Sequence, residues 1–274
     1  MKNFYLTLCG ALVCSTAMAQ AADLTLTRLE CTGPASGPSD VARFSDSYAH
    51  EGRKVQLTGS CYLIKHGSDY MIWDTGYPTA ASGLVPANAA TAKLPLVEQL
   101  AQLNLKPEQI KFVGISHYHG DHIGQTGSFP SATLLIGKHD WDVVTAVPPN
   151  PATNAALLQH WVSGAGKVEP VARDKDVFGD GRVVILEMPG HTPGHRSLLV
   201  KLQDMGNVLL TGDLAHFHEN YESDGVPSFN THRGDSLASL HRFKQIAKNL
   251  NATVIIQHDA RDIGKLPAFP RAAK

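Results

Sequence analysis

The apolar residues of this chain fall into two patterns: short runs bounded by turn-forming residues, and longer stretches with helical spacing. The short runs predict strands, at residues 55–57, 60–65, 70–73, 112–115, 132–136, 183–187, 197–202, 208–210 and 253–256. The helical spacing predicts helices at residues 95–103, 139–146, 152–162 and 235–250. Strands come first and then alternate with helices, and the second half of the chain repeats that order.

This order of elements favours an α/β fold with two sheets sandwiched between helices over a single open parallel sheet. The turn at residues 66–69 separates two predicted strands, which indicates that the first strands pair antiparallel. Residues 77–93 are rich in Ala, Pro and Gly and predict a loop long enough to overhang a site.

The first 21 residues have the pattern of a secretory signal peptide. Lys2 supplies the positive charge, an apolar stretch follows, and small residues at 17–21 offer a cleavage site. The apolar stretch is too short to span a bilayer, so we expect no membrane anchor and a periplasmic or secreted protein. The length allows one large domain or two small ones, and the 43% of apolar residues can bury a substantial core. We expect a single domain over residues 22–274.

Charge gives no reason to expect nucleic acid as a partner. Cleavage would remove Lys2 and no acidic residue, which leaves 23 basic and 25 acidic residues. A nearly neutral surface lacks the excess of positive charge by which proteins attract polyanions and anionic membranes.

Two cysteines remain after cleavage, Cys31 and Cys61. An even pair in an oxidising compartment favours a disulfide over two free thiols. Two separately buried thiols are the alternative, and neither residue has the spacing of a zinc ligand.

The segment Ser116-His117-Tyr118-His119-Gly120-Asp121-His122 places four side chains that can bind metal within six positions. Residues two apart on extended chain point to the same side, so His117, His119 and Asp121 can converge. Asp121 and His122 are adjacent and diverge unless the chain turns there. A strand that ends and continues into a helix would direct these ligands to two neighbouring metals. A His-rich surface loop is the competing interpretation.

Three further candidate ligands follow predicted strands. His191 lies in a Gly- and Pro-rich loop, Asp213 follows the strand at 208–210, and His258 follows the strand at 253–256. A single His at a strand end is more often structural, but three such residues together with the His-x-His-x-Asp-His segment predict a metal site.

This set of residues resembles the metallo-β-lactamase superfamily, over roughly residues 55–258. The resemblance implies an αββα four-layer sandwich with a two-metal site at one edge. It also implies that Asp74, in an Asp-x-Gly turn, supports the site, although a simple turn residue is the alternative. Carried over position by position, it assigns the first metal to His117, His119 and His191, the second to Asp121, His122 and His258, and a bridging position to Asp213.

Imidazole and carboxylate ligands without thiolate suit two Zn²⁺ ions, with Fe, Mn or Co as alternatives. The resemblance implies hydrolysis by a hydroxide that bridges the two metals, with Asp121 relaying the proton. Members with a di-iron redox centre place Glu at the position of His119, so this chain favours hydrolysis over electron transfer.

Within the superfamily the chain is similar to the N-acyl homoserine lactonases, which open the lactone ring of quorum-sensing signals. The similarity lies in residues 60–64 and 73–76, in the loop at 190–195 and in the spacing from His191 through Asp213 to His258. Class B β-lactamases generally lack the bridging Asp. Glyoxalase II carries a helical domain after its last ligand, whereas 16 residues follow His258 here. The resemblance also implies a homodimer.

One position departs from that branch. Many of the lactonases place a Tyr three residues after the bridging Asp, where it supports the substrate, and this chain has His216. An imidazole can donate the same hydrogen bond, so His216 is the second candidate catalytic residue beside Asp121; a solvated loop residue is the alternative.

Two further interpretations complete the sequence hypothesis. The aromatic residues Phe217, Tyr221 and Phe229, with His218, are expected to form a loop that lines a groove for an acyl chain. A different hydrolase of the same fold (an organophosphate triesterase or a β-lactamase) and a non-catalytic zinc-binding protein of the envelope are the alternative functions.

Overall fold

The structure is a computed structural model, and it describes residue 1 and residues 23–33, 37–80, 91–148, 150 and 153–274. Apart from Met1, the predicted signal peptide lies outside the described residues, and so do residues 81–90 of the predicted long loop. In the described part of the chain, no helix combines the length and the apolar character that crossing a bilayer requires.

The described residues form thirteen strands and six α-helices. The strands are β1 (Leu24–Glu30), β2 (Ser39–Asp40), β3 (Lys54–Val55), β4 (Ser60–His66), β5 (Asp69–Trp73), β6 (Ile110–Gly114), β7 (Thr133–Gly137), β8 (Val168–Val171), β9 (Lys175–Asp176), β10 (Val183–Glu187), β11 (Arg196–Leu202), β12 (Gly206–Leu210) and β13 (Thr253–Ile255). The helices are α1 (Leu96–Gln102), α2 (Gly120–Ile123), α3 (Lys138–Val144), α4 (Gln159–Val162), α5 (His218–Glu222) and α6 (Arg233–Asn249).

Two sheets make up most of the strand structure. The first has the order β1-β4-β5-β6-β7-β8, in which β1, β4 and β5 pair antiparallel, as predicted for the start of the sheet, and β5 to β8 pair parallel. The second has the order β13-β12-β11-β10-β9, with only the β12–β13 pair parallel. Strands β2 and β3 form a separate small ribbon.

The main core lies between the two sheets, and alternation along each strand decides which side chains enter it. In β4, Tyr62 and Ile64 face the second sheet, whereas Cys61 and Leu63 face the opposite way. In β11, Leu198 and Val200 contribute to the same inter-sheet core. Both sheets therefore have two buried faces.

Helices cover the two outer faces. Leu96 and Leu100 of α1 and Trp161 of α4 pack on the outer face of the first sheet. Leu240 and Phe243 of α6 pack on the outer face of the second. The layers are thus helix, sheet, sheet and helix, which confirms the predicted αββα sandwich.

Two predicted elements differ from the structure. The helix expected at residues 152–162 is a 3₁₀ turn at Ala155–Leu158 that leads into the single turn of α4. The three-residue repeat of the 3₁₀ turn places Leu158 and Trp161 on the same buried side. The strand expected at residues 55–57 ends at Val55, because Leu57 instead forms an isolated bridge with Asp259 beside the site.

Cys31 and Cys61 are joined by a disulfide in the structure, with their Cα atoms 5.7 Å apart. The bond links the chain after β1 to the second residue of β4. Cys31 also packs against Gly76, where an added Cβ would lie 2.7 Å from the Cys31 sulfur. Gly76 has a φ of +64°, so this close approach and the left-handed backbone both require glycine.

Candidate metal centre

All seven predicted ligands come together at one edge of the two sheets. Each lies beyond the end of a strand or in the short helix α2. The rigid sheets therefore fix the backbone positions of these residues. The ligand atoms form two groups, His117, His119 and His191 with Asp213, and Asp121, His122 and His258; within each group the atoms lie within 4.8 Å of one another.

In the first group, three ring nitrogens converge on one point. His119 Nδ1 lies 2.8 Å from His117 Nε2 and 3.0 Å from His191 Nε2, and the last two atoms are 3.2 Å apart. Three lone pairs this close repel one another unless a proton or a cation lies between them. This donor set therefore fits a metal ion held by three imidazoles.

The second group is more open. His122 Nε2 and His258 Nε2 lie 3.2 Å apart, and Asp121 Oδ2 is 3.9 Å from each of them. The Asp121 side chain is 27% exposed, whereas the two rings are almost fully buried. Asp121 is therefore the ligand of this group that solvent and a substrate can reach.

Asp213 lies between the two groups. Its Oδ1 is 2.9 Å from His258 Nε2 and 3.1 Å from His122 Nε2, and its Oδ2 is 3.3 Å from His191 Nε2. Oδ1 is buried and has no hydrogen bond of good geometry in the described part of the chain. A buried carboxylate oxygen without a donor is costly unless a cation neutralises it, so this atom also fits a metal-binding role.

The outward ring nitrogens of four histidines are held by other residues. These partners fix each ring and set which nitrogen faces the centre. The pairs are His117 Nδ1 with Ser116 Oγ at 3.0 Å, His122 Nδ1 with Asp74 Oδ2 at 3.0 Å, His191 Nδ1 with Asn230 Oδ1 at 2.9 Å, and His258 Nδ1 with the Thr58 carbonyl oxygen at 2.7 Å.

Asp74 has the contacts expected of a supporting residue. Its Oδ2 faces His122 and accepts a hydrogen bond from Gln257 Nε2 at 2.9 Å, and its Oδ1 accepts one from the Ser116 amide at 2.6 Å. It adopts a φ of +58°, which turns the side chain toward the site directly after β5. The structure thus places Asp74 against a predicted ligand and not in a solvent-exposed turn.

The sequence hypothesis did not assign a role to His195, which holds Asp213 in place. His195 Nε2 accepts a hydrogen bond from the Asp213 amide at 2.9 Å, and its Nδ1 donates to the Met188 carbonyl at 3.0 Å. Gly212 makes this possible, since an added Cβ there would lie 2.7 Å from His195 Nε2. The sequence signal for this residue was its position in the same Gly-Pro loop as His191.

Asp140 of α3 was also missed, and it anchors the loop that carries His191. It is fully buried and accepts hydrogen bonds from the Gly194 amide at 2.6 Å and from the Thr192 hydroxyl at 2.8 Å. Burial raises the pKa of this carboxyl to about 7 although both hydrogen bonds oppose the shift. No sequence motif marks a contact between residues more than fifty positions apart.

Burial and neighbouring charges shift the pKa values of several predicted ligands. Burial lowers the pKa of His117 well below its ordinary value. Burial also acts on His122, but Asp213 and Asp74 outweigh it and raise the pKa of that ring well above its ordinary value. For Asp213, the surrounding histidines outweigh burial and hold the carboxyl pKa well below its usual range. A site that keeps the Asp213 carboxylate ionised favours a bound cation.

A cavity of about 750 Å³ opens above these ligands. One side carries Phe44 and Phe229, whose rings meet edge to face at 5.3 Å. Thr32, Gly33 and Tyr77 also line the cavity, with Gly33 against the Tyr77 ring. The cavity therefore presents the ligand cluster at its floor and both apolar and polar groups on its walls.

His216 lines this cavity and touches the floor. Its Nε2 lies 3.1 Å from Asp213 Oδ2, and its ring packs against Phe44 at 4.7 Å. Its Nδ1 is buried without a hydrogen-bond partner among the described residues, and burial lowers the pKa of the ring. His216 is thus part of the site and not a solvated loop residue, while its contact with substrate stays a prediction.

The predicted acyl-chain groove is corrected by the structure. Phe229 lines the cavity, but the other three residues lie at or beside α5, which is a short helix and not the expected loop. Phe217 is buried under Phe44, Tyr221 packs against Phe243, and His218 pairs with Asp262. The helical spacing of 217 and 221 turns these rings toward the core.

Comparison with known proteins agrees with this geometry. A sequence model of the metallo-beta-lactamase superfamily matches residues 55–258. The N-acyl homoserine lactonase AttM of Rhizobium radiobacter is 30% identical over 178 residues, which are 60% of this chain and 63% of AttM. The chain therefore spans less than two thirds of that relative. An N-acyl homoserine lactonase of Bacillus thuringiensis is 27% identical over 234 residues, 80% of this chain and 88% of that protein.

Solved structures show the same fold. A quorum-quenching N-acyl homoserine lactone hydrolase superposes with a TM-score of 0.76 at 24% identity, covering 93% of this chain and 100% of that one. AidC, a dizinc quorum-quenching lactonase, gives a TM-score of 0.66 at 18% identity, covering 93% of this chain and 91% of AidC. At these identities the likeness concerns the fold alone.

Proposed function

The chain belongs to the metallo-β-lactamase superfamily, and we propose that it is an exported dinuclear-zinc hydrolase that opens the lactone ring of N-acyl homoserine lactones. The observation that carries this proposal is the Asp213 carboxylate between two groups of ligands. A single carboxylate facing both groups supports two metals that act on the same substrate atom.

Two zinc ions fit the donors present, which are imidazoles and carboxylates; Fe, Mn or Co suit the same donors less specifically. When bound, the pair would lower the pKa of a coordinated water toward neutrality and polarise a substrate carbonyl. His117, His119 and His191 would hold one ion, Asp121, His122 and His258 the other, and Asp213 both.

Asp121 is the residue best placed to move a proton. It lines the cavity and is the more exposed of the two carboxylates at the floor. Its Oδ2 can therefore take a proton from the attacking water and return it to the leaving alkoxide. His216 lines the cavity against Asp213 and Phe44, and its imidazole would donate a hydrogen bond to the substrate.

The lactone substrate is supported by the relatives and by the cavity. Several curated relatives are N-acyl homoserine lactonases. An N-acyl homoserine lactone has a polar ring and an apolar chain, and the cavity pairs a polar floor with the apolar rings of Phe44 and Phe229. The ring would lie over the ligands, with the chain along the aromatic wall.

Export rests on the predicted signal peptide and is supported by the Cys31–Cys61 disulfide, a bond that persists in oxidising compartments. We further propose a homodimer, as the family resemblance implies. Thiol counting on protein purified from the periplasm tests the disulfide, and light scattering on the same sample tests the dimer. Two free thiols or a monomer would contradict these parts of the proposal.

The activity is tested by a substrate panel on zinc-reconstituted protein, with metal measured per chain. The panel holds N-acyl homoserine lactones of several chain lengths, a paraoxon-type triester and a carbapenem. We expect the lactones to give the highest kcat/KM. Preference for the triester or the carbapenem would replace the proposed substrate, and stoichiometric zinc without turnover on any compound would identify a non-catalytic zinc protein.

A ligand variant and a matched surface variant complete the test. His117→Ala should abolish hydrolysis, because that ring is buried at the centre of the first group. His139→Ala, whose side chain is 63% exposed on α3, should retain full activity. Full activity in His117→Ala would rule out the proposed centre.

A further inference from the structure

Tyr77 lies in the wall of the cavity, beside Gly33. It is the third residue after Asp74 in the loop that follows β5, and it lines the same cavity as Asp121 and Asp213. Its hydroxyl has no hydrogen-bond partner among the described residues and is not enclosed by protein, unlike the fully buried Tyr62 hydroxyl. The phenol is therefore free to bind a molecule in the cavity.

The ring of Tyr77 is held against the chain beneath it. Gly33 lies under the ring, and a Cβ added there would be 3.1 Å from two of its carbon atoms. A side chain at position 33 would have to displace the ring, since this distance is tighter than ordinary van der Waals contact.

The backbone at Tyr77 is fixed as well. The Gly124 amide donates to the Gly76 carbonyl at 2.8 Å, and the Thr75 amide donates to the His122 carbonyl at 2.7 Å. The Cys31 sulfur packs against Gly76 from the other side. The phenol is thus tied to the loop that carries a predicted ligand, and such preorganisation lowers the entropy cost of binding.

At this position the Tyr77 hydroxyl is a hydrogen-bond donor. A tyrosine hydroxyl is protonated at neutral pH, and burial, together with the negative charge of Asp121 and Asp213, raises the pKa of Tyr77 further. Two other groups in the cavity have contacts of their own, since the Thr32 and Thr58 hydroxyls lie 2.8 Å apart and the Arg43 guanidinium stacks on Phe229 at 4.8 Å.

We propose that the Tyr77 hydroxyl binds the substrate by donating a hydrogen bond to its amide carbonyl oxygen. This inference rests on the proposed function, in which the lactone ring occupies the floor. The amide oxygen is the next acceptor along an N-acyl homoserine lactone, and Tyr77 would therefore select lactones that carry an amide over alkyl lactones that do not.

The test uses Tyr77→Phe, which removes only the hydroxyl, and two substrates of equal chain length. One is N-hexanoyl homoserine lactone and the other a γ-alkyl lactone without the amide. We expect kcat/KM to fall by about tenfold on the amide substrate and to change by less than about twofold on the alkyl lactone. Equal losses on both substrates, or no loss on either, would overturn the proposal.

Tyr48→Phe is the matched control, because Tyr48 is 76% exposed and does not line the cavity. It should behave as wild type on both substrates. Zinc per chain and melting temperature should be the same for both variants and wild type, which excludes a structural cause.

A binding measurement separates failure of this inference from failure of the proposed function. Calorimetry of the zinc-loaded protein with ring-opened N-hexanoyl homoserine should show about tenfold weaker binding for Tyr77→Phe than for wild type. If wild type hydrolyses neither lactone, the proposed function fails and this comparison alone decides the assignment of Tyr77. Equal affinity would contradict it.

A second pair of variants moves the ring and leaves the hydroxyl in place. Gly33→Ala should show a selective loss on the amide substrate that is smaller than that of Tyr77→Phe, because the added methyl group makes a tight contact with the Tyr77 ring and shifts it slightly. Gly37→Ala has no atom within 4 Å of the added carbon and should leave the preference unchanged. An unchanged preference in Gly33→Ala would contradict a fixed position for the phenol.

Discussion

The floor of the cavity and its walls are built in different ways. The floor belongs to a cluster of seven predicted ligands that follow strands or lie in α2, five of which line the cavity, and the partners of its rings are strand-end or loop residues that are themselves hydrogen-bonded. The walls come from Phe44, Phe229 and Tyr77, which lie on segments distant in sequence and are fixed by packing. Phe229 is 37% exposed, whereas every ligand ring but that of His119 is buried.

We expect the floor to carry out the reaction and the walls to determine which substrates are preferred. The floor would hold the metals for any substrate with a carbonyl, and its geometry depends on rigid strands. The walls contact the part of the substrate that does not react. Changes to the floor should therefore reduce turnover of all substrates together, and changes to a wall should alter the ranking of substrates.

The largest effect is expected from Asp213→Ala. This substitution removes the one carboxylate that faces both ligand groups, so we expect zinc per chain to fall and kcat to drop on the order of a thousandfold. Elemental analysis and initial rates on two lactones check this. The loss should be equal on both substrates, and a loss confined to one of them would break the distinction between floor and walls.

Asp74→Ala should give a smaller loss that is still uniform. Asp74 orients His122 and accepts bonds from Ser116 and Gln257, so its removal loosens the second ligand group without deleting a ligand. We expect about 10–100-fold weaker zinc binding, measured by competition with a chelator. Asp69→Ala, on the exposed first residue of β5, is the control. Unchanged zinc affinity in Asp74→Ala would show that Asp74 is a simple turn residue and does not support the site.

The same contrast explains what could be predicted from sequence. The floor was predictable because its ligands are rare side chains at strand ends, and short-range spacing near His117 indicates where they point. Asn230 was not predictable as the partner of His191, since nothing in the sequence connects positions so far apart. The strand β1 was missed because it directly follows the predicted signal peptide, and α5 was missed because its aromatic residues were interpreted as a loop.

The walls were predictable only in part. Phe229 was expected to line the cavity and does, and Tyr77 begins the loop at 77–93 that was expected to overhang a site, but Phe44 was not expected there. Their positions depend on how residues 37–44 and the loop after β5 fold back over the sheet edge. Tertiary packing of this kind leaves no periodic signal in the sequence.

Phe229→Ala should affect substrates unequally. The variant removes an apolar ring from the wall, so KM should rise by about tenfold for a long acyl chain and by less than about twofold for a short one. Steady-state kinetics across chain lengths measures this. Ile263→Ala is matched in exposure, 38% against 37%, and lies outside the cavity. An equal rise in KM at all chain lengths would show that Phe229 supports the floor.

The smallest effect on activity is expected at Asp140, because Asp140→Asn keeps an oxygen that can accept a hydrogen bond from the loop of His191 and mainly changes stability. Its carboxyl has a pKa of about 7 in the folded protein, against an ordinary value of 3.8, so the folded state binds the proton more tightly than the unfolded state. Its contribution to the free energy of unfolding is therefore fully present below about pH 4 and is lost as the pH rises to about 7, by up to roughly 4 kcal/mol.

Urea unfolding of the metal-free protein at several pH values measures this contribution as the difference between wild type and Asp140→Asn. Taking the difference removes the titration of the histidines, which is common to both proteins. Asp142→Asn lies on the same helix with a side chain 49% exposed, and it should not change the pH dependence. The difference between wild type and Asp140→Asn should decrease as the pH rises. A constant difference would mean that the pKa of Asp140 is the same in the folded and unfolded states and that its two hydrogen bonds offset burial.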